Sequence, residues 1–163
     1  MGETFADRPG DRDEIDEVHN LYFFAMDARR FELLSRVFAP DIEYTARMIG
    51  LPVANISGFP AVDAAIRMVA HYRTSHHGTR NRLVEFTGEN DAVAVLHAMD
   101  ALLDTNPRAG DVVAGHRVIQ HGLRYEDRLV RRPEGWRIRE RKLTCLWQTV
   151  AINPAYQDLP PGS

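Results

Sequence analysis

Apolar residues recur every three to four positions through the first half of the chain. Ile15, Val18, His19, Tyr22, Ala25, Met26 and Arg29 share one stripe. Asp11, Asp13 and Glu14 sit at its start, where the positive end of a helix favours acids, so the spacing predicts a first helix from residue 13. Leu33, Leu34, Val37 and Phe38 predict a short second helix over 31–38, stopped by Ala39-Pro40. Residues 42–49 have strand character. After the punctuation at 57–60, a third helix is marked by Val62, Ala65, Ile66, Val69 and Tyr72. The long apolar stretch 50–60 is expected to act as a lid.

The period then changes. Residues 77–87, 91–104, 112–132 and 135–149 are rich in Val, Leu, Ile, Thr and aromatics. Turn signals at 88–91, 106–110 and 132–135 separate them, which predicts four long antiparallel strands. Helices followed by a run of strands define an α+β class, with three N-terminal helices on one face of a mainly antiparallel sheet. Strands this long must curve to bury one face, which gives a cone. Residues 1–12 and 151–163 read as loose termini around a single domain over 13–150.

Composition narrows the function classes. A hydrophobic share of 44% and a charged share of 26% are those of an ordinary globular domain. The net charge of −3 argues against nucleic acid, whose affinity rests on Lys and Arg neutralising phosphates. The most basic stretch, 124–142, is broken by Glu126, Asp127, Glu134 and Glu140, as on a solvated hairpin. Cys145 is the single cysteine, so an intrachain disulfide is impossible, and a small buried hydrophobe in a reducing compartment is expected. No apolar run approaches the roughly 20 residues that cross a bilayer, and the first 13 residues lack the apolar core of a signal peptide. A cytoplasmic location without membrane contact is the expectation.

The segment from Tyr22 to Tyr44, Tyr-Phe-Phe-Ala-Met-Asp-Ala-Arg-Arg-Phe-Glu-Leu-Leu-Ser-Arg-Val-Phe-Ala-Pro-Asp-Ile-Glu-Tyr, resembles the opening of the nuclear-transport-factor-two-like superfamily, and more narrowly its SnoaL-like branch. His77-Gly-Thr-Arg-Asn81, Gly88-Glu-Asn-Asp-Ala92, and Tyr125-Glu-Asp-Arg-Leu leading into Gly135-Trp-Arg-Ile-Arg-Glu-Arg141 agree with it. The likeness spans residues 13–147. It implies the same cone, and a branch that includes scytalone dehydratase, bile-acid dehydratases, polyketide cyclases and ketosteroid isomerases, beside members that only bind or assemble. Fold alone therefore does not supply the function.

Tyr22 lies on the stripe of the first helix and should point into the cone, while Asp27 lies off it at the helix end, able to turn over the pocket mouth. The resemblance implies that such a Tyr and Asp bind and polarise substrate. His77 opens a strand, and His76 must project oppositely, because side chains alternate across a sheet. The motif ending in Asn81 marks His77 as the dehydratase histidine, and an imidazole can take and return a proton near neutrality. Asp100 interrupts an almost wholly apolar strand, where a carboxylate needs a partner. His77 on the neighbouring strand is the expected one, and the resemblance to bile-acid dehydratases implies an Asp at a similar offset from the His. His97 should face the other way.

Arg137, Arg139 and Arg141 alternate against Trp136 and Ile138 unless a bulge intervenes. Arg141 matches an arginine of SnoaL-like enzymes and, facing inward, would hold a carboxylate, an enolate or Asp27. Tyr44 and Tyr125 would add hydroxyls. Met26 stands where scytalone dehydratase has a tyrosine, which sets the substrate apart.

Gly-x-Gly-x-x-Gly, the phosphate-cradling Gly-x-x-x-x-Gly-Lys and His-Glu-x-x-His are all absent, and neither the His76/His77 nor the His116/His121 pair shares a face. No cofactor or metal is expected. The reading is a cofactor-independent acid/base enzyme acting on a hydrophobic carbonyl compound, polyketide-, steroid- or terpenoid-like, by dehydration or cyclisation through an enolate. A ketosteroid-type isomerase and a non-catalytic binding or oligomerisation module are the alternatives. A homodimer or higher homo-oligomer is expected from the family.

Overall fold

A computed structural model describes residues 8–106 and 116–152. The first helix, α1 (Pro9–Asp27), starts four residues before the predicted position. Pro9 supplies a fixed φ where no amide donor is needed, and Asp11 in the first turn suits the helix dipole. Asp11 is buried, accepts a hydrogen bond from Trp136 Nε1 at 3.1 Å, and pairs with Arg8 at 3.0 Å. Residues 8–12 are therefore part of the domain rather than a loose terminus, whereas the expectations for 1–7, 107–115 and 153–163 lie outside the described residues.

The predicted second helix is a 3-10 helix over Phe31–Arg36. Pro40 does not stop it but lies inside the first strand, β1 (Phe38–Arg47). The pairing of β1 is irregular between Phe38 and Glu43, and there a residue without an amide donor costs no ladder bond. Next comes β2 (Ala54–Ser57), an edge strand within the stretch expected to be a lid. Gly58 adopts φ 83, a left-handed conformation that favours glycine, and turns the chain into α2 (Phe59–Ile66) and a 3-10 turn over Arg67–His71.

The long strands are β3 (Thr74–Phe86), β4 (Asp91–Asp104), β5 (Arg117–Arg132) and β6 (Gly135–Ile152). The sheet order is β2-β1-β6-β5-β4-β3, antiparallel throughout except for the parallel β1–β6 pair. The result is an open, curved, mostly antiparallel sheet with the helices packed on its concave face. Ile15, Leu34, Ile42, Leu96, Leu129 and Ile138 fill the space between layers and are fully buried, each contributing about 1.5–3 kcal/mol. Cys145 is buried, its thiol 3.2 Å from the Trp147 carbonyl oxygen. Among the described residues no helix is long and apolar enough to cross a membrane.

A bulge places one residue expected only conditionally. Between β5 and β6 the register passes from Arg128↔Glu140 to Leu129↔Ile138, so Arg139 is the extra residue. Arg139 faces solvent, and the alternation beyond it is reset, which turns Arg141 inward on the same side as Ile138.

Candidate active site

The helical layer and the concave sheet face enclose a cavity of about 400 Å³. Its walls are mainly apolar, from Met26, Met48, Ile56, Val62, Ile66 and Leu143 among others. Tyr22, Tyr44, Tyr125, His77 and Asp100 bring polar groups to the same space, so six of the eight candidates line one cavity, Met26 included. Ala54 and Ile56 of β2 form part of the wall, which corrects the expectation of a lid over 50–60: part of that stretch is hydrogen-bonded sheet edge.

Asp27 does not lie over the mouth. The helix ends at Asp27, just before Arg29 takes up φ 58, an unusual conformation for a residue with a Cβ, and the Asp27 carboxylate is turned toward β3. One carboxylate oxygen accepts from the Ser75 hydroxyl at 2.9 Å and lies 2.6 Å from His77 Nδ1, and the other accepts the His77 backbone N–H at 2.8 Å. Arg29 completes the clamp through the Ser75 hydroxyl at 2.7 Å and the Tyr72 carbonyl at 3.1 Å. Phe23 stacks on the imidazole with an interplanar angle of 18°.

Burial alone would raise the Asp27 carboxyl, but the hydrogen bonds from His77 and Ser75 and the charge of His77 outweigh it and hold it below its ordinary value. An ionised Asp27 can only accept, so Nδ1 of His77 donates to it, and in the neutral ring the lone pair falls on Nε2, at the cavity wall.

The expected His77–Asp100 hydrogen bond is therefore corrected. His77 and Asp100 are direct cross-strand partners on β3 and β4, yet Nε2 and the nearer carboxylate oxygen are 3.8 Å apart, too long for a hydrogen bond. Asp100 is instead bonded to His121 of β5, at 2.7 Å from Nδ1 and 3.1 Å from the backbone N–H. His76 is exposed, and His97 pairs with Asn81 at 3.1 Å on the outer face.

Arg141 faces inward, but its guanidinium is not presented to the cavity. It grips Asp127 through two bonds of 2.8 and 2.6 Å, and Asp127 also meets His19 Nε2 at 3.0 Å. The guanidinium carbon lies 4.2 Å from the Tyr22 ring centroid and 4.7 Å from that of Tyr125, beneath the floor of the cavity. Burial alone would lower the arginine, but the Asp127 charge and hydrogen bonds prevail and raise it. Burial would raise Asp127, but Arg141 and His19 bring it below its ordinary value. His19 goes the other way, because burial lowers it more than Asp127 raises it. Tyr44 and Tyr125 are raised well above the ordinary phenol value, chiefly by burial, and so remain hydrogen-bond donors at neutral pH.

Five participants escaped the sequence reading: Ser75, Arg29, His121 and the His19–Asp127 pair. Ser75 had a signal, since it lies two residues before His77 and shares its strand face. His121 needed the β4–β5 register to be seen opposite Asp100. Among the described residues no three His, Cys, Asp or Glu side chains converge to hold a metal ion; the four groups around His77 form successive pairs instead.

An open cone of this order, helices first and a curved sheet after, is the nuclear-transport-factor-two-like fold. The chain belongs to the SnoaL-like domain family, whose model matches residues 8–142. Uncharacterized proteins of Mycobacterium tuberculosis and Mycobacterium bovis are 34% identical to it over 144 residues, 86% of this chain and 88% of theirs. A Kribbella flavida protein superposes with a TM-score of 0.72 at 24% identity, over 88% of this chain and 95% of its own. A candidate scytalone dehydratase of Novosphingobium aromaticivorans gives 0.70 at 18% identity, over 93% of both chains. A hexachlorocyclohexane dehydrochlorinase, LinA type 2, gives 0.72 at 18% identity, over 96% of this chain and 97% of its own.

Proposed function

We propose that the protein is a cofactor-independent lyase for an apolar small molecule bearing a carbonyl group, with His77 as the base. The observation that carries this reading is the Asp27–His77 contact of 2.6 Å, which leaves Nε2 bare on the wall of an apolar cavity. Asp27 fixes the tautomer and stabilises the imidazolium, as the orienting carboxylate does in other His–Asp pairs. His77 Nε2 takes the proton from the carbon next to the carbonyl, and the electron pair of that C–H bond passes to the carbonyl oxygen. Tyr22, Tyr44 and Tyr125 would donate to the oxygen as charge develops there. When the enolate collapses, the bond to the β-hydroxyl breaks and the proton on Nε2 leaves with it as water. Polyketide-, steroid- or terpenoid-like molecules fit the apolar walls, and the neighbours bearing the names of dehydratase and dehydrochlorinase support elimination over ring closure or isomerisation.

The test is a panel of cyclic β-hydroxy ketones and poly-β-ketones followed by mass spectrometry, with His77→Ala and Asp27→Asn beside the wild type. The expected result is loss of water by the wild type and a fall of about a hundredfold or more in both variants. An unchanged product mass with exchange of the acidic proton would replace elimination by isomerisation. Binding without turnover, unaltered in the variants, would leave a ligand-binding module.

A further inference from the structure

We infer that His121 is a positioning residue that aims Asp100 at His77, an assignment that rests on His77 being the base. His121 stands directly across from Asp100 in the β4–β5 ladder, and both side chains are about nine-tenths buried or more, each 6% exposed. Its ring Nδ1 and its backbone N–H converge on the same oxygen, Oδ1, at 2.7 and 3.1 Å. Two donors on one oxygen leave no room there for a proton or a third partner, so the free lone pairs of Asp100 belong to Oδ2. Oδ2 is the oxygen that faces His77 Nε2, at 3.8 Å.

The four groups thus form two back-to-back pairs, Asp27–His77 and His121–Asp100. The outer member of each holds the inner one by two hydrogen bonds, and the inner members turn their free atoms toward each other across a gap. When Nε2 takes a proton from the substrate carbon, the positive charge forms 3.8 Å from a carboxylate oxygen that has no hydrogen-bond partner among the described residues. A carboxylate free to rotate would spread its charge away from that gap. Tyr125 on β5 and Cys145 on β6 feel the Asp100 charge, and burial raises both; Tyr22, Tyr44 and His71 are the further titratable groups that line the same cavity.

The variants that test this are His121→Leu, which keeps bulk and loses the donor, and His121→Asn, whose amide can return an N–H to the position of Nδ1. Turnover of the compounds above is measured together with the pH titration of the His77 ring by ¹⁵N-edited NMR. His121→Leu should lower kcat about tenfold or more with KM little changed, as loss of an orienting partner does, and should move the His77 titration downward, since a carboxylate no longer aimed at Nε2 stabilises the imidazolium less. His121→Asn should recover most of both. Equal damage in the two variants reduces His121 to packing, and wild-type values in His121→Leu overturn the assignment. Should the leucine variant not fold, the wild type decides: a His121 Nδ1 without its proton contradicts the geometry. If no compound turns over, the reading of function fails while the titration and the Nδ1 proton still judge His121.

Discussion

Two buried His–Asp arrangements lie within one cone and differ in what they leave open. At the cavity wall, Asp27 and Asp100 each hold one side of an imidazole or are held by one, and His77 Nε2 and Asp100 Oδ2 remain unspent. Beneath the floor, Asp127 is bonded by both Arg141 and His19, and all three side chains have no solvent exposure. Similar residues therefore have opposite uses. A carboxylate saturated by a bidentate arginine locks β5 to β6 and to α1, and has no capacity left for a reacting atom. A pair with a spare lone pair facing an apolar space can move a proton.

The sharpest way to break this contrast is to exchange the expected consequences. His77→Ala should remove about a hundredfold or more of the turnover while shifting the midpoint of urea unfolding far less than a change at Arg141. Arg141→Met should do the reverse, because it strands a buried carboxylate: a loss of about 3–5 kcal/mol in unfolding free energy, read by denaturant titration. Should Arg141→Met fold normally and fail only in turnover, the guanidinium serves the substrate after all.

Acid separates the two sites next. The folded His19 sits below its ordinary value of 6.5, so the stability it contributes is complete above that pH and declines as pH falls below it. Asp27 and Asp127 are held below their ordinary 3.8, so their contribution is complete above 3.8 and is lost only as pH falls further. Unfolding measured from pH 8 to 3 should show both declines, and His19→Gln should abolish the upper one alone.

Smaller still is the effect expected of Tyr44→Phe, which removes one hydroxyl from the cavity. It should cost turnover more than stability, with an unfolding change of about 1 kcal/mol. The last concerns neither site and leaves turnover untouched. A Cβ on Gly122 would fall 2.1 Å from the Trp147 ring on the outer face, so Gly122→Ala should displace that ring at a cost of about 1–3 kcal/mol and leave kcat unchanged.

The sequence carried the contrast only in part. Element types and order were legible because the apolar period shifts from helical to strand-like near residue 77, and the likeness to the family pointed to His77, Asp100 and the tyrosines as one set. Pairings were not legible. Asp27 reaches His77 from the end of α1 across 50 positions of sequence, a meeting that no local propensity announces. Asp100 turns to His121 through a cross-strand register between residues 21 positions apart. Arg141 faces inward because of an extra residue in β6, and alternation cannot indicate where a bulge falls. Pro40 was read as a stop because its missing donor matters in a helix, whereas at an irregular stretch of β1 it costs nothing.

The state of the His77 ring is what the proposed chemistry stands on. Long-range ¹H–¹⁵N correlation of the imidazole above its titration, in the wild type and in Asp27→Asn, reads it without any substrate. The account predicts that Nδ1 carries the proton and Nε2 the lone pair in the wild type, and that this preference weakens in Asp27→Asn. A wild-type ring protonated on Nε2 would leave the cavity without its base and would contradict the assignment of His77.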